Sequence, residues 1–239
     1  MQTPPASNMP WNNYVAAIIP NNFTSIIGQT GTTLVAGSTG QNFPYEWRVP
    51  LQFTFSFLGT NYPAGFNMIA SMSGFLGFNG AIPRNGAYFP YLYYQTSTVY
   101  SWYNKVIYVY SADLTTTPSQ GGIYWRVDGP TGNRVQTIEW RVQGISYPAG
   151  NPGNFQLKLY ESPSGKMEFV YGPNSINRTE SAPNRLGQGA LVGIKNLGQG
   201  QGVPAGSDAE KYVLLQNPKT NPDTLAITRL PTINYVGVL

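Results

Sequence analysis

Chemistry in this chain would have to come from ten carboxylates, fourteen Lys and Arg side chains and seventeen tyrosines, because its 239 residues include no His and no Cys. Several mechanisms vanish with those two residue types. No Ser-His or Cys-His nucleophile pair, no thiolate or imidazole zinc site and no disulfide can form. A carboxylate pair for acid–base work needs two carboxyls within roughly 5 to 10 Å, one of them desolvated. No spacing suggests such a pair. Glu139 and Glu168 fall at outward strand positions beside Arg141 and Lys166, where solvated charge is the expectation. Asp113 is read as a turn residue capping backbone amides at a strand end. No run has the Asp-x-Asp-x-Asp-Gly form of a calcium loop. Gly198-Gln-Gly200-Gln-Gly202 lacks the Lys and the following helix of a phosphate loop and reads as a surface turn. The expectation is a chain with no catalytic residues, no metal and no cofactor.

Two segments stand out as surfaces. Residues 80–105 carry Tyr88, Phe89, Tyr91, Tyr93, Tyr94, Tyr100, Trp102 and Tyr103 with no acidic residue. Rings this dense either extend the core over an open end of the fold or serve recognition, since Tyr offers a large rigid area with a hydrogen-bonding tip. Arg84 and Asn85 nearby keep sugar stacking open beside subunit contact. The C-terminal residues 225–239 place Leu225, Ile227, Leu230, Ile233, Tyr235 and Val238 in an apolar strand former. An exposed edge strand of that kind is an aggregation hazard unless paired. It either closes its own sheet or adds to that of a neighbouring subunit.

Charge narrows the partners. A formal charge of +4 with singly scattered basic residues offers no stripe for a phosphate backbone, so nucleic-acid binding is not expected. No apolar run approaches the roughly 20 residues that span a bilayer, and residues 1–7 show neither the basic flank nor the apolar core of a signal peptide. Charged residues make up 10% of the chain, well below the roughly 25% of ordinary soluble domains. Weak self-repulsion of that kind suits dense packing of like subunits.

The elements that position these residues are strands. Between residues 134 and 172, three segments alternate apolar and polar side chains with a period of two: even positions of Gln136–Val142, odd positions of Phe155–Leu159 and of Met167–Tyr171. Ser162-Pro163-Ser164-Gly165 suits a type I turn with Gly165 in the left-handed region, which would set Leu159 against Phe169, Leu157 against Tyr171 and Tyr160 against Glu168. Further strands are expected at 14–19, 32–36, 51–57, 74–78, 106–110, 122–127, 135–143, 155–161, 167–172, 190–195, 212–216 and 225–228. Gly and Pro, 27 and 20 of them, punctuate these runs, and no helical periodicity is sustained. The fold class expected is an all-β, antiparallel, jelly-roll-like sandwich. Residues 1–13 form an extended N-terminal segment, 14–196 the sandwich, and 197–239 C-terminal strands that complete it or are donated to a neighbour. Phe53, Phe55 and Phe57 are expected in one inter-sheet layer with Trp140 and Phe169.

A family resemblance runs through the same strands. Phe53-Thr-Phe55-Ser-Phe57 leads through Gly59-Thr60-Asn-Tyr62 to Ser73-Gly74-Phe75; later come Ala112-Asp113-Leu114, Leu159-Tyr160-Glu161 and Glu168-Phe169-Val-Tyr171-Gly172. The succession resembles a β-sandwich domain carried by secreted and surface-attached bacterial proteins. The likeness covers about residues 14–196. The family often places Trp and a second acidic residue before Asp-Leu, where this chain has Tyr110-Ser111-Ala112, so the paired carboxylates for a cation are missing. Taken with the low charge and the two candidate contact surfaces, the resemblance leads to the expectation of a non-enzymatic extracellular structural protein of a bacterial cell surface, a homo-oligomer or polymer that self-assembles into a filament, tube or layer. The alternative is a carbohydrate-binding or adhesive module using residues 80–105.

Overall fold

Every strand pairing among the described residues is antiparallel. The computed structural model describes residues 14–19, 23–36, 46–72, 74–78, 105–111, 114–115, 121–144, 152–172, 191–196 and 232–237. Fifteen strands occur among them: β1 (Tyr14–Ile19), β2 (Thr33–Ala36), β3 (Glu46–Pro50), β4 (Phe55–Phe57), β5 (Thr60–Tyr62), β6 (Asn67–Ser71), β7 (Phe75–Gly77), β8 (Lys105–Ser111), β9 (Leu114–Thr115), β10 (Gly122–Asp128), β11 (Val135–Gly144), β12 (Pro152–Tyr160), β13 (Met167–Tyr171), β14 (Leu191–Asn196) and β15 (Thr232–Gly237). One sheet has the order β1-β15-β13-β12-β11-β10-β2, with β9 pairing the far end of β11. A second has the order β14-β8-β7-β6-β3, and β4 with β5 forms a separate hairpin. The all-β sandwich read from the sequence is the fold observed.

Period-two alternation explains the inner faces. Ile138, Trp140 and Val142 of β11, Phe155, Leu157 and Leu159 of β12, and Met167, Phe169 and Tyr171 of β13 all join one buried cluster with Met68, Ala70, Leu76, Ile107 and Val109 of the facing sheet. Phe53, Phe55 and Phe57 lie in that cluster at 0% exposure, as their alternation suggests, while Thr54 between them is exposed. Trp140 stacks on Phe155 with ring centroids 5.5 Å apart, and Phe57 and Tyr62 both meet Phe78 at 4.8 Å. Pairs of this kind add roughly 0.5–1.5 kcal/mol beyond the area they bury.

Two turns show the backbone constraints directly. The β4–β5 hairpin closes on Leu58 and Gly59, with φ of 48° and 72°. That is the type I′ geometry whose twist matches the flanking strands. Leu58 is 4% exposed, so core packing holds a non-glycine residue in the left-handed region, and Lys105 Nζ donates to its carbonyl at 3.2 Å and to the Thr60 hydroxyl. At Gly74 (φ +80°) a Cβ would lie 2.1 Å from the Tyr110 carbonyl oxygen, and the amides of Val109 and Tyr110 both donate to the Gly74 carbonyl. Only glycine fits there.

Several expectations are corrected. The β12–β13 register sets Leu157 against Phe169, Leu159 against Met167 and Lys158 against Glu168, two residues from the pairing expected. Tyr160 N–H donates to the Lys166 carbonyl and Lys166 N–H to that of Pro163, so residues 161–165 form the loop, with Gly165 at φ +89° as anticipated. A slip of two preserves the face of every side chain, whereas a slip of one would invert it. The strand expected over 51–57 is ordered as strand only at β4, and β3, β5 and β6 were not anticipated. The strands expected at 212–216 and 225–228 lie outside the described residues.

Candidate functional site

Among the described side chains, the four carboxylates, Asp128, Glu139, Glu161 and Glu168, are engaged by partners within the fold. Glu139, expected on a solvated face, is 0% exposed. Residues 24–26 lie over Glu139 and Gln156 on the outer side of the larger sheet. Ser25 Oγ donates to Glu139 Oε1 at 2.7 Å, Ile26 N–H to Oε2 at 2.8 Å and Gln156 Nε2 to Oε2 at 2.7 Å. Asn154, with its amide turned to donate, reaches Oε1 at 3.0 Å. Four neutral donors converge on one carboxylate, and Gln156 also donates to the Thr24 carbonyl at 2.8 Å. Hydrogen bonds to a charged acceptor are roughly twice as strong as neutral ones, which is how a buried carboxylate can be tolerated without a cation.

Glu161 makes a second clamp. It accepts from Arg134 Nη2 at 2.6 Å and Nε at 2.8 Å, and from the backbone amides of Arg134 at 3.0 Å and Gly132 at 2.8 Å. The Arg134 side chain, helped by both amides, holds this carboxyl down at about 2. The Arg134 guanidinium lies 5.5 Å over the Phe53 ring, so the pair also lids the core. The 129–134 turn is thereby fixed against the end of β12.

Glu168, likewise expected in solvent, is 4% exposed and pairs with Lys166 at 3.1 Å. Lys166 Nζ sits 3.9 Å from the centre of the Tyr160 ring. Burial, with the neighbouring Glu168 carboxylate, pushes the Tyr160 hydroxyl well above its usual range, and burial lowers Lys158. Asp128 pairs with Arg126 at 2.8 Å. Among the described residues, no three His, Cys, Asp or Glu side chains gather where they could hold a metal ion. Among the described side chains, this arrangement ties, shields and braces.

The residues proposed from sequence as a contact surface fall mostly outside this frame. Tyr88, Tyr91, Tyr93, Tyr94, Tyr100, Trp102, Tyr103, Leu225, Ile227, Leu230 and Val238 lie outside the described residues, as do Asp113, Arg84, Asn85 and the 198–202 turn. Ile233 and Tyr235 lie in β15, where Ile233 is in register with Phe169 and Ile18, and Tyr235 with Met167 and Ala16. The structure therefore brings these two positions into the rows of the sandwich. Sequence reasoning missed the Ser25–Glu139–Gln156 clamp, whose partners stand 114 and 17 residues apart from Glu139. Its only sequence trace is that Glu139 and Gln156 share the polar phase of neighbouring strands.

The family model described as NIDO related matches residues 13–235, a span that includes every described strand but the last two residues of β15. That description is of an extracellular type of domain. No curated protein and no solved structure matches the chain.

Proposed function

The chain belongs to the NIDO-related family, and from that premise we propose that it is a non-enzymatic structural protein of a bacterial cell surface, secreted and self-assembling into a filament, tube or layer. One observation carries the reading. Every carboxylate whose side chain is described, Asp128, Glu139, Glu161 and Glu168, is held by partners within the fold. A catalytic carboxylate must be free to exchange a proton or meet a substrate, whereas these are fixed by two to four donors or by a cation. Such bracing suits a durable scaffold. Low charge density supports close packing of copies.

Sedimentation velocity on the purified chain over a concentration series tests the assembly. The distribution should move to large species as concentration rises. A single monomer boundary throughout would defeat the assembly reading, and steady hydrolysis of a glycoside or ester substrate would defeat the non-enzymatic one. The family's extracellular, adhesive type favours one second reading, a carbohydrate-binding or adhesive module using residues 80–105. Saturable glycan binding by a chain that stays monomeric would select it.

A further inference from the structure

We propose that the chain cross-links itself: an amide bond forms between Lys166 and Asn234, with Glu168 carrying the protons, and ties β15 covalently to β13. The cross-link is independent of self-assembly. It is a single event within one chain, with no substrate and no turnover.

Three observations meet at Glu168. Lys166 Nζ lies 3.1 Å from its Oε1. Its Oε2 is buried with no hydrogen-bond partner, in a residue that is 4% exposed. An unpaired buried oxygen costs stability, and a native fold that keeps one calls for a role. Asn234 stands directly opposite Glu168 in the β13–β15 pairing. Opposed positions fall on one face of a sheet, and Lys166, two residues before Glu168, takes that same face. Lys166 and Asn234 are then diagonal neighbours, roughly 7–8 Å apart and within reach of a long side chain. An amine, a carboxylate and a carboxamide thus adjoin on one face.

The step begins with proton transfer from Lys166 Nζ to Glu168, across a contact short enough for it. The neutral amine attacks Cγ of Asn234. Glu168 hands its proton to the carboxamide nitrogen, whose bond to Cγ breaks as the Nζ–Cγ bond forms. It then accepts the second proton from Nζ and passes it to the departing ammonia. The products are a secondary amide and an ammonium ion, and Glu168 ends as the carboxylate it was. No oxidant, metal or second substrate enters.

The bond falls where the sheet is least secured. Three residue pairs join β15 to β13, against five between β12 and β13 and nine between β11 and β12. Among the described strands β1 pairs with β15 alone, so whatever fastens β15 also holds β1. With no Cys in the chain, a disulfide cannot do so. Closing the chain between Lys166 and Asn234 restricts its unfolded state as a disulfide would.

Mass spectrometry of the purified full-length chain needs no added ligand. The intact mass should fall short of the sequence mass by one ammonia. A tryptic digest should lack cleavage after Lys166 and contain a branched peptide joining that segment to the one that holds Asn234. Lys166→Arg keeps a cation beside Glu168 but removes the nucleophile; its mass should equal that of its sequence, and its melting temperature should fall below that of the parent. An intact parent mass equal to the sequence mass, with a linear peptide ending at Lys166, overturns the cross-link. So does an ammonia deficit that persists in Lys166→Arg, which would come from cyclisation of another Asn. Glu168→Gln should also show its full sequence mass, and a bond that still forms there overturns the proton-carrying role. Lys166→Arg carries the comparison if Glu168→Gln fails to fold by circular dichroism.

Discussion

Trp140 donates its indole N–H to the backbone carbonyl of Ser71 at 2.8 Å, from the larger sheet to the smaller. Tyr171 makes the same kind of crossing with its hydroxyl, to the Val109 carbonyl at 2.7 Å. Both side chains are at 0% exposure. The sandwich is thus joined by directed polar contacts as well as by apolar burial, and the two fix the relative placement of the sheets.

Tyr171→Phe should therefore destabilise the fold by about 1–3 kcal/mol, since it removes one buried donor while keeping the ring. Trp140→Phe should cost more, because it also shortens the stack on Phe155. Urea denaturation gives both values; a Tyr171→Phe midpoint equal to that of the parent would contradict the bracing role.

Phe55→Ala should cost roughly 3–5 kcal/mol, because it empties a fully buried ring site facing Phe78, 6.2 Å away between centroids. Thr54→Ser, at the exposed neighbour, should stay within about 0.5 kcal/mol. Thermal melts compare them, and similar midpoints for the two variants would show that the Phe run is misplaced.

Glu139→Gln preserves size but replaces one carboxylate oxygen by an NH2, which at the Oε2 position would face the Ile26 amide and Gln156 Nε2. Two donors would then face donors, at a cost of about 1–3 kcal/mol. Hydrogen exchange should rise first in residues 23–36, the clamped segment and β2. Unchanged protection there would mean that the carboxylate is not what holds the segment.

What the sequence revealed and what it concealed follow from range. The alternation in β11, β12 and β13 and the Phe53–Phe55–Phe57 run announced their inner faces, because burial on one face leaves a period-two record within each strand. Glu139 and Glu168 carry the same polar phase as a solvated residue; Glu139 is buried under the distant Ser25–Ile26 stretch, and Glu168 beside Lys166 and Tyr160. β3, with Glu46, Arg48 and Pro50, resembles a loop in composition, as edge strands often do. The register of β12 and β13 depended on a loop whose hydrogen bonds start at Tyr160 rather than at Ser162.

Acid should weaken the Glu161 clamp in a definite window. The folded carboxyl is held at about 2, below its ordinary value of 4.5. A lowered folded pKa contributes stability above the unfolded value, and that contribution fades as pH falls from about 4.5 toward 2. Melting temperature should drop across this interval, and the drop should be smaller in Glu161→Gln. Parallel pH profiles for the two proteins would remove Glu161 from the account.

Negative-stain electron microscopy of the purified full-length chain, at concentrations spanning its assembly threshold, tests the central claim most directly. Regular filaments, tubes or layers with a repeat the size of one sandwich are the predicted result. Dispersed single particles at every concentration, in protein shown to be folded by circular dichroism, would contradict it.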